Sequence, residues 1–333
     1  MNSFTRGALI GSAALTGAAI LAGTVSVGIP HSLIQIAFER KLPFTPGIRT
    51  KKLFSGCRDM ERIERLCCEN AAVLENGDCI SLSINGRGGQ RLVGHLHLSP
   101  SPKRTIIAMH GWRTTWARDF GAVSEFWHSN DCNVLYVEQR GQAQSEGRYI
   151  GFGITERFDC LSWIERLNRE AEISRLPIYL CGVSMGASTV LMATGLELPK
   201  NVHGVIADCG FTSPHDVFKH VVNKNLHFPY GKLIERQVDR RCIRRLGLDP
   251  HEYSTLEAMQ HCKIPVMFVH GGADRFVPVR MTYDNYRACA SRKRMLIIPQ
   301  ADHGMCYFTA KVRYQREMLD FFSDCEAGAE GGS

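Results

Sequence analysis

Ile178-Tyr-Leu-Cys-Gly-Val-Ser184-Met-Gly186-Ala-Ser-Thr-Val-Leu-Met192 decides how the rest of the chain is read. An apolar run opened by Pro177 reads as a buried strand, 178–181. A run with Ala187, Val190, Leu191 and Ala193 on its packing faces reads as a helix. Between them lies Gly182-x-Ser184-x-Gly186. A strand that turns at once into a helix holds its central residue in a strained backbone, so the positions two before and two after must be small. Such a turn lifts the Ser184 hydroxyl clear of the sheet and aims a helix N-terminus at charge forming above it. With 31 glycines the pattern alone carries little weight. Ala143-Gln-Ser145-Glu-Gly147 is a decoy of the same kind, without a strand before it or a helix after it, and reads as loop.

Working outward, strand and helix patterns alternate. Two alternating runs, 79–84 and 91–98, flank Asn85-Gly-Arg-Gly-Gly89 and predict an antiparallel hairpin. Strands are expected at 105–109, 132–137, 202–207, 264–270 and 295–298. Helices are expected at 116–128, 155–167, 279–290 and 311–322. The pattern predicts an α/β chain whose mostly parallel sheet is covered by helices on both faces. Ligands bind such sheets at the carboxyl ends of the strands, where Ser184 stands.

A serine hydroxyl needs a base, and the base needs an orienting acid. In this architecture the chain order is serine, acid, histidine. His303, in Gln300-Ala-Asp-His303-Gly304 after the last strand, is the expected base. Asp274, in Gly271-Gly-Ala-Asp274 after the strand before it, is the expected acid, with Asp208 as the alternative. Asp302 would point away from the base, and His110 and His270 read as structural. The oxyanion needs two backbone N–H groups. Met185 would give one and Trp112, in the loop His110-Gly-Trp112-Arg113, the other, with its indole near the pocket mouth.

Together these residues resemble the α/β-hydrolase family over residues 78–323. The motifs that carry the resemblance are His110-Gly-Trp112, Gly182-Val-Ser-Met-Gly186, Gly272-Ala-Asp274 with Val277-Pro278, and Asp302-His303-Gly304. The chain is similar to bacterial, membrane-anchored members related to serine aminopeptidases and lysophospholipase-like esterases. It shares with them Arg140-Gly141 and Ser145-Glu-Gly147, and Ala207-Asp208-Cys-Gly-Phe211-Thr-Ser213. It departs in carrying Glu138 where the family has Asp, and Gln142-Ala143 where it has His-Gly, in a loop that bears on substrate preference. The resemblance implies an α/β-hydrolase fold with Ser184, Asp274 and His303 as the triad, no metal and no cofactor. The expected reaction is hydrolysis of a carboxylic ester, or an amide or thioester, through an acyl-enzyme. A serine aminopeptidase acting on short peptides and a silent membrane-tethered binding protein are the alternatives.

Residues 214–260 would form a short helical cap. Phe218, Phe228 and Tyr230, with Leu226 and Leu233, could line a substrate pocket. Lys224, Lys232, Arg236, Arg240, Arg241, Arg244 and Arg245 make either a solvated basic face or a rim for anionic substrates or lipid head groups.

The net charge of +7 is mild and its basic residues form no dense block, so nucleic acid is not an expected partner. Thirteen cysteines without C-x-x-C or zinc spacing read as small buried hydrophobes in a reducing compartment. Residues 7–38 contain no Asp, Glu, Lys or Arg. The 1–38 segment reads as a hydrophobic anchor, against a cleaved signal or a buried helix, with Pro30 ending its span. Arg6 alone precedes it, while Arg40, Lys41, Arg49, Lys51 and Lys52 follow, which keeps the main domain cytoplasmic. A connector with an amphipathic stretch at 58–74 fills 39–77, and 324–333 reads as a disordered tail.

Overall fold

The computed structural model describes residues 28–41 and 60–330. Its eight strands form one sheet in the order β1-β2-β4-β3-β5-β6-β7-β8. They are β1 (Ile80–Asn85), β2 (Arg91–His97), β3 (Arg104–Met109), β4 (Cys132–Glu138), β5 (Ile178–Val183), β6 (Val202–Asp208), β7 (Val266–Gly271) and β8 (Lys293–Ile298). β1 and β2 form the expected hairpin, and β2 also runs antiparallel to β4; the other pairings are parallel. The central strands β3, β4 and β7 are buried along their whole length, which is why their sequences are near-continuous apolar runs rather than alternating ones. One face packs under the helices Trp116–Ser129 and Lys311–Glu330, with Trp127, Tyr136 and Phe322 at its centre. The other packs under Glu156–Leu167 and Met185–Ala193, around Trp163, Leu180 and Phe268.

The insertion after β6 forms the cap, with helices Pro214–His220, Lys232–Arg241 and Thr255–Gln260. Ile234, Val238 and Cys242, spaced four apart, make the inner face of the second of these and its continuation.

Three expectations change. Pro30 opens a helix, Ile29–Phe38, where the missing N–H costs nothing. That helix lays Leu33, Ile34, Ala37 and Phe38 against the cap, so this part of the uncharged run is folded onto the domain. The rest of the expected anchor, 1–27, lies outside the described residues, as do 42–59 and 331–333. Among the described residues no helix is long and apolar enough to cross a membrane. Second, residues 324–330 are not a disordered tail: the last helix runs Lys311–Glu330. Cys325 is buried, and Glu326 accepts two hydrogen bonds from Arg104, at 2.8 and 3.1 Å, and one from the Tyr179 hydroxyl at 3.2 Å. A composition of small and polar residues cannot reveal such long-range partners. Third, Cys79 is exposed; among the described cysteines all are free and all but Cys68 and Cys79 are buried.

Candidate active site

The turn at Ser184 is as tight as its glycines require. Ser184 has φ 55° and ψ −115°, a left-handed conformation costly for a residue with a side chain. A Cβ on Gly182 would lie 2.3 Å from the Gly186 backbone, and one on Gly186 would lie 1.8 Å from the Met109 carbonyl oxygen. Neither neighbour can yield, because both belong to packed backbone. The Ser184 amide donates to the Asp208 carbonyl at 2.8 Å, carrying the β5–β6 ladder up to the turn. Thus the strained residue is held from below by the sheet and from behind by the helix Met185–Ala193.

The structure brings Ser184, His303 and Asp274 together from three separate loops. His303 Nε2 lies 2.9 Å from Ser184 Oγ, and His303 Nδ1 lies 2.7 Å from Asp274 Oδ2. The other carboxylate oxygen, Asp274 Oδ1, accepts from the amides of Phe276 and Val277, both at 2.8 Å. Burial alone would push the Asp274 carboxyl up; the His303 and His270 imidazoles hold it well below the usual carboxylate range. Burial alone would push the His303 imidazole down, and the Asp274 carboxylate reverses this and raises it above its ordinary value. Asp274 therefore stays ionised and His303 stays basic.

Asp208, the alternative acid, is buried beneath the site with its carboxylate receiving the Tyr314 hydroxyl at 3.1 Å. Burial pushes its pKa up. Asp302 turns away as expected: its Oδ1 accepts from its neighbour's amide, His303 N, at 2.8 Å and from Arg275 N at 3.3 Å. The decoy Ser145 is buried in a loop. Its hydroxyl donates to the Glu138 carbonyl at 2.5 Å and accepts from Val93 N at 2.8 Å.

Met185 is the first residue of its helix, so its N–H has no acceptor within the helix. A Cβ on Gly111 would stand 3.4 Å from Ser184 Cβ, which places the His110-Gly-Trp112 loop directly beside the serine. Asp119 pins that loop by accepting Gly111 N at 2.7 Å and the Thr114 hydroxyl at 2.9 Å. Gln142 Oε1 accepts Arg113 N at 2.6 Å, so one of the two departures from the family pattern serves to hold the same loop. The other, Glu138, takes His95 Nε2 at 2.8 Å. His110 is structural: Nδ1 meets the Gly111 carbonyl at 2.8 Å and Nε2 accepts from Gln139 N at 3.1 Å.

Three contributions escaped the sequence reading. His270 is not merely a packing residue: its Nε2 lies 3.1 Å from Asp274 Oδ2, the oxygen that also holds His303, and its Nδ1 lies 2.7 Å from Thr282 Oγ1. Its spacing of four residues before Asp274 was the available signal. Asp119, which pins the glycine loop, had no signal at all. The last is the helix Ile29–Phe38. The Trp112 indole donates to the Ala37 carbonyl at 2.8 Å, and the Arg113 guanidinium donates to the carbonyls of Ile36, Glu39 and Arg40. A cation on the free carbonyls of a helix C-terminus is a favourable pairing. The indole is therefore committed to this helix rather than standing free at a pocket mouth.

Phe218, Phe228 and Tyr230 join an apolar cluster that also holds Met185 and the N-terminal helix: Phe218 lies 5.9 Å from Phe38 and 5.5 Å from Tyr230. Leu226 and Leu233, by contrast, are exposed. Among the described residues, two clusters have metal-ligating side chains close enough to share an ion, Cys209 with Asp274 and His303, and His215 with Asp239 and His251. The first is the hydrogen-bonded site itself. In the second, on the cap, His251 pairs with Asp239 at 3.3 Å and His215 with Glu235 at 3.0 Å.

The sequence model of the prolyl oligopeptidase family matches residues 119–328. The protein YqkD of Bacillus subtilis is 26% identical over 198 residues, 60% of this chain and 64% of that protein. Protein bem46 of Schizosaccharomyces pombe is 24% identical over 207 residues, 62% of this chain and 63% of its own. The chain thus spans under two thirds of the length of these relatives. Among solved structures, the Pyrococcus furiosus esterase Pf2001 is similar at a TM-score of 0.59 with 20% identity, over 74% of this chain and 92% of that one. The alpha/beta hydrolase GrgF from Penicillium is similar at 0.58 with 15% identity, over 75% and 100%. The Pyrococcus horikoshii acylaminoacyl peptidase is similar at 0.56 with 16% identity, over 76% and 43%. At these identities the likeness is one of fold, and the fold is that of the α/β-hydrolases.

Proposed function

The chain belongs to the prolyl oligopeptidase family, a family of serine hydrolases on the α/β-hydrolase fold, and from that premise we propose that it cleaves a carboxylic ester through an acyl-enzyme on Ser184. The observation that carries this reading is the unbroken hydrogen-bond chain Ser184 Oγ–His303–Asp274 at 2.9 and 2.7 Å. In the proposed reaction Ser184 Oγ attacks the carbonyl carbon while His303 Nε2 takes its proton. Asp274 keeps the other proton on Nδ1 and stabilises the imidazolium. The N–H groups of Met185 and Trp112 receive the oxyanion. His303 then hands its proton to the leaving oxygen, and a water repeats the sequence to release the acid.

An ester of an apolar acyl group suits the surroundings better than a peptide with a free N-terminus. The apolar cluster that contains Met185 also contains Phe38, Phe152, Phe211, Phe276 and cap aromatics, whereas an α-amine would call for a carboxylate with no other partner. Asp274 and Asp302 are committed to hydrogen bonds, and Asp208, whose Oδ2 takes the Tyr314 hydroxyl, is buried beneath the serine rather than exposed to a substrate. Residues 7–27 remain uncharged and long enough for a span of about 20 residues. With the basic residues that follow 38, they support a domain tethered to the cytoplasmic face of a membrane.

The test is labelling of the full chain with a fluorophosphonate, read by intact mass. A single adduct on Ser184 that disappears in His303→Ala is the expected result. A folded protein that takes no adduct would overturn the reading, and turnover of aminoacyl amides in preference to acyl esters would replace the ester with a peptide.

A further inference from the structure

We propose that the outer face of the cap is a docking surface for an anionic lipid bilayer. The inner face of Lys232–Arg241 and its continuation is Ile234, Val238 and Cys242, buried against the domain. The opposite stripe presents Lys232, Leu233, Arg236, Arg240, Ile243 and Arg244 to solvent. Residues 221–247 contain two carboxylates, Glu235 and Asp239. Both are turned aside from the stripe and occupied, Glu235 by His215 at 3.0 Å and Lys219 at 3.2 Å, Asp239 by His251 at 3.3 Å. The stripe therefore carries four positive side chains and no negative one. Arg241 and Arg245 do not belong to it: Arg241 donates to Gln237 Oε1 at 3.0 Å, and Arg245 pairs with Glu39 at 2.7 Å.

Charge alone would leave the face merely soluble. What singles it out is the aliphatic residues set among the cations. Leu233 is 67% exposed and Ile243 48% exposed, ten residues apart on one side of the same rod. An aliphatic side chain left in water among arginines gains nothing from the fold, but it gains on entering the acyl boundary while the guanidinium groups meet phosphates.

The position of the N-terminal helix says which way the bilayer lies. Ile29–Phe38 packs on Lys232–Arg241 through Leu33, Ile34 and Phe38. Arg245, next to Arg244 of the stripe, reaches His31 Nδ1 at 3.1 Å, one helical turn from Gly28. The uncharged stretch 7–27 therefore joins the domain beside the stripe, so chain and stripe would meet the same membrane. The docking surface itself does not rest on the catalytic reading of Ser184.

The experiment places a reporter in the stripe of the full chain. Leu233→Trp is mixed with phosphatidylcholine vesicles, with and without phosphatidylglycerol, and the change in fluorescence over the parent is read with brominated lipid as quencher. Quenching and a blue shift are expected only with phosphatidylglycerol. Adding Arg236→Glu, Arg240→Glu and Arg244→Glu should abolish the quenching. Each basic residue near an anionic surface contributes about fivefold to partitioning, so partition of the stripe should fall by at least on the order of a hundredfold. Thermal melts and fluorophosphonate labelling of both variants check that the fold and Ser184 are intact. If the protein sediments with the vesicles yet the introduced indole stays unquenched, the N-terminal stretch alone holds it and the proposal is overturned. Quenching that ignores both phosphatidylglycerol and the charge reversals overturns it as well.

Discussion

Replacing Asp274 with asparagine separates the two candidate acids. In the native site Asp274 Oδ1 serves two backbone donors and Oδ2 lies within reach of two imidazole nitrogens, His303 Nδ1 and His270 Nε2. An amide has one oxygen. If that oxygen stays on the Phe276 and Val277 amides, its NH2 group faces His303 Nδ1, which must then become an acceptor and leave its proton on Nε2, pointing at Ser184. A base protonated on the working nitrogen cannot take the serine proton. Loss of the correct tautomer costs about 10⁴ in kcat, or roughly 5.5 kcal/mol of barrier. The same substitution leaves two buried N–H groups in opposition, which should cost about 1–3 kcal/mol of stability. Acyl-ester turnover with active-site titration gives the first number and a denaturant melt the second. Asp208→Asn, which meets Tyr314 rather than His303, should retain most of the activity while altering stability. If Asp274→Asn kept more than about a tenth of wild-type kcat and Asp208→Asn lost it, the assignment of the acid would be wrong.

Further outcomes follow from the same geometry. Because Asp274 raises the His303 pKa above its ordinary 6.5 and the base works neutral, kcat/KM should climb with pH through an acid limb above 6.5, measured on a soluble ester. The depressed carboxyl of Asp274 contributes stability that is present above its ordinary 3.8 and lost as pH falls toward the folded value, so acid melts of Asp274→Asn should lose part of the wild-type pH dependence there. Gly186→Ala drives a Cβ against the Met109 carbonyl and should lower stability by about 3 kcal/mol or more, seen as loss of soluble protein or a collapsed melt. Phe38→Ala removes a ring packed on Phe152 and Phe218; it should cost about 3 kcal/mol locally and raise kcat/KM for longer acyl chains relative to short ones in a graded ester series. Glu326→Ala strips the buried Arg104 of its two-oxygen partner and should cost about 2 kcal/mol by chemical denaturation, whereas a disordered tail would show no change.

The parts of this protein legible in one dimension are those whose physics is local. The turn at Ser184 demands small residues two places on either side, so Gly182 and Gly186 announce it, and the contacts they avoid lie at 2.3 and 1.8 Å. Buried strands such as Val266–Gly271 must be apolar throughout, and loops at their ends can be located from where the runs stop. The loops that carry Asp274 and His303 can be placed beside Ser184 from sequence because the order of strands dictates which loops rise there.

Tertiary structure decided what depends on partners far along the chain. Pro30 can end a helix or open one, and only the apolar surface offered by the cap, with Arg113 on the last carbonyls, makes it open one here. Glu326 is 222 residues from Arg104, and no local pattern predicts that a small polar segment will be wound into helix by that pair. The cap residues divide in the same way. Leu233 and Ile234 are neighbours of equal hydrophobicity, yet one faces solvent and the other the core, because a helix turns its successive side chains by about 100° and packing fixes which direction is inward. Sequence thus determined the sheet, the serine turn and the loops that hold its partners. Packing between distant segments determined the second histidine on Asp274, the helix laid over the cap, and the face the cap presents outward.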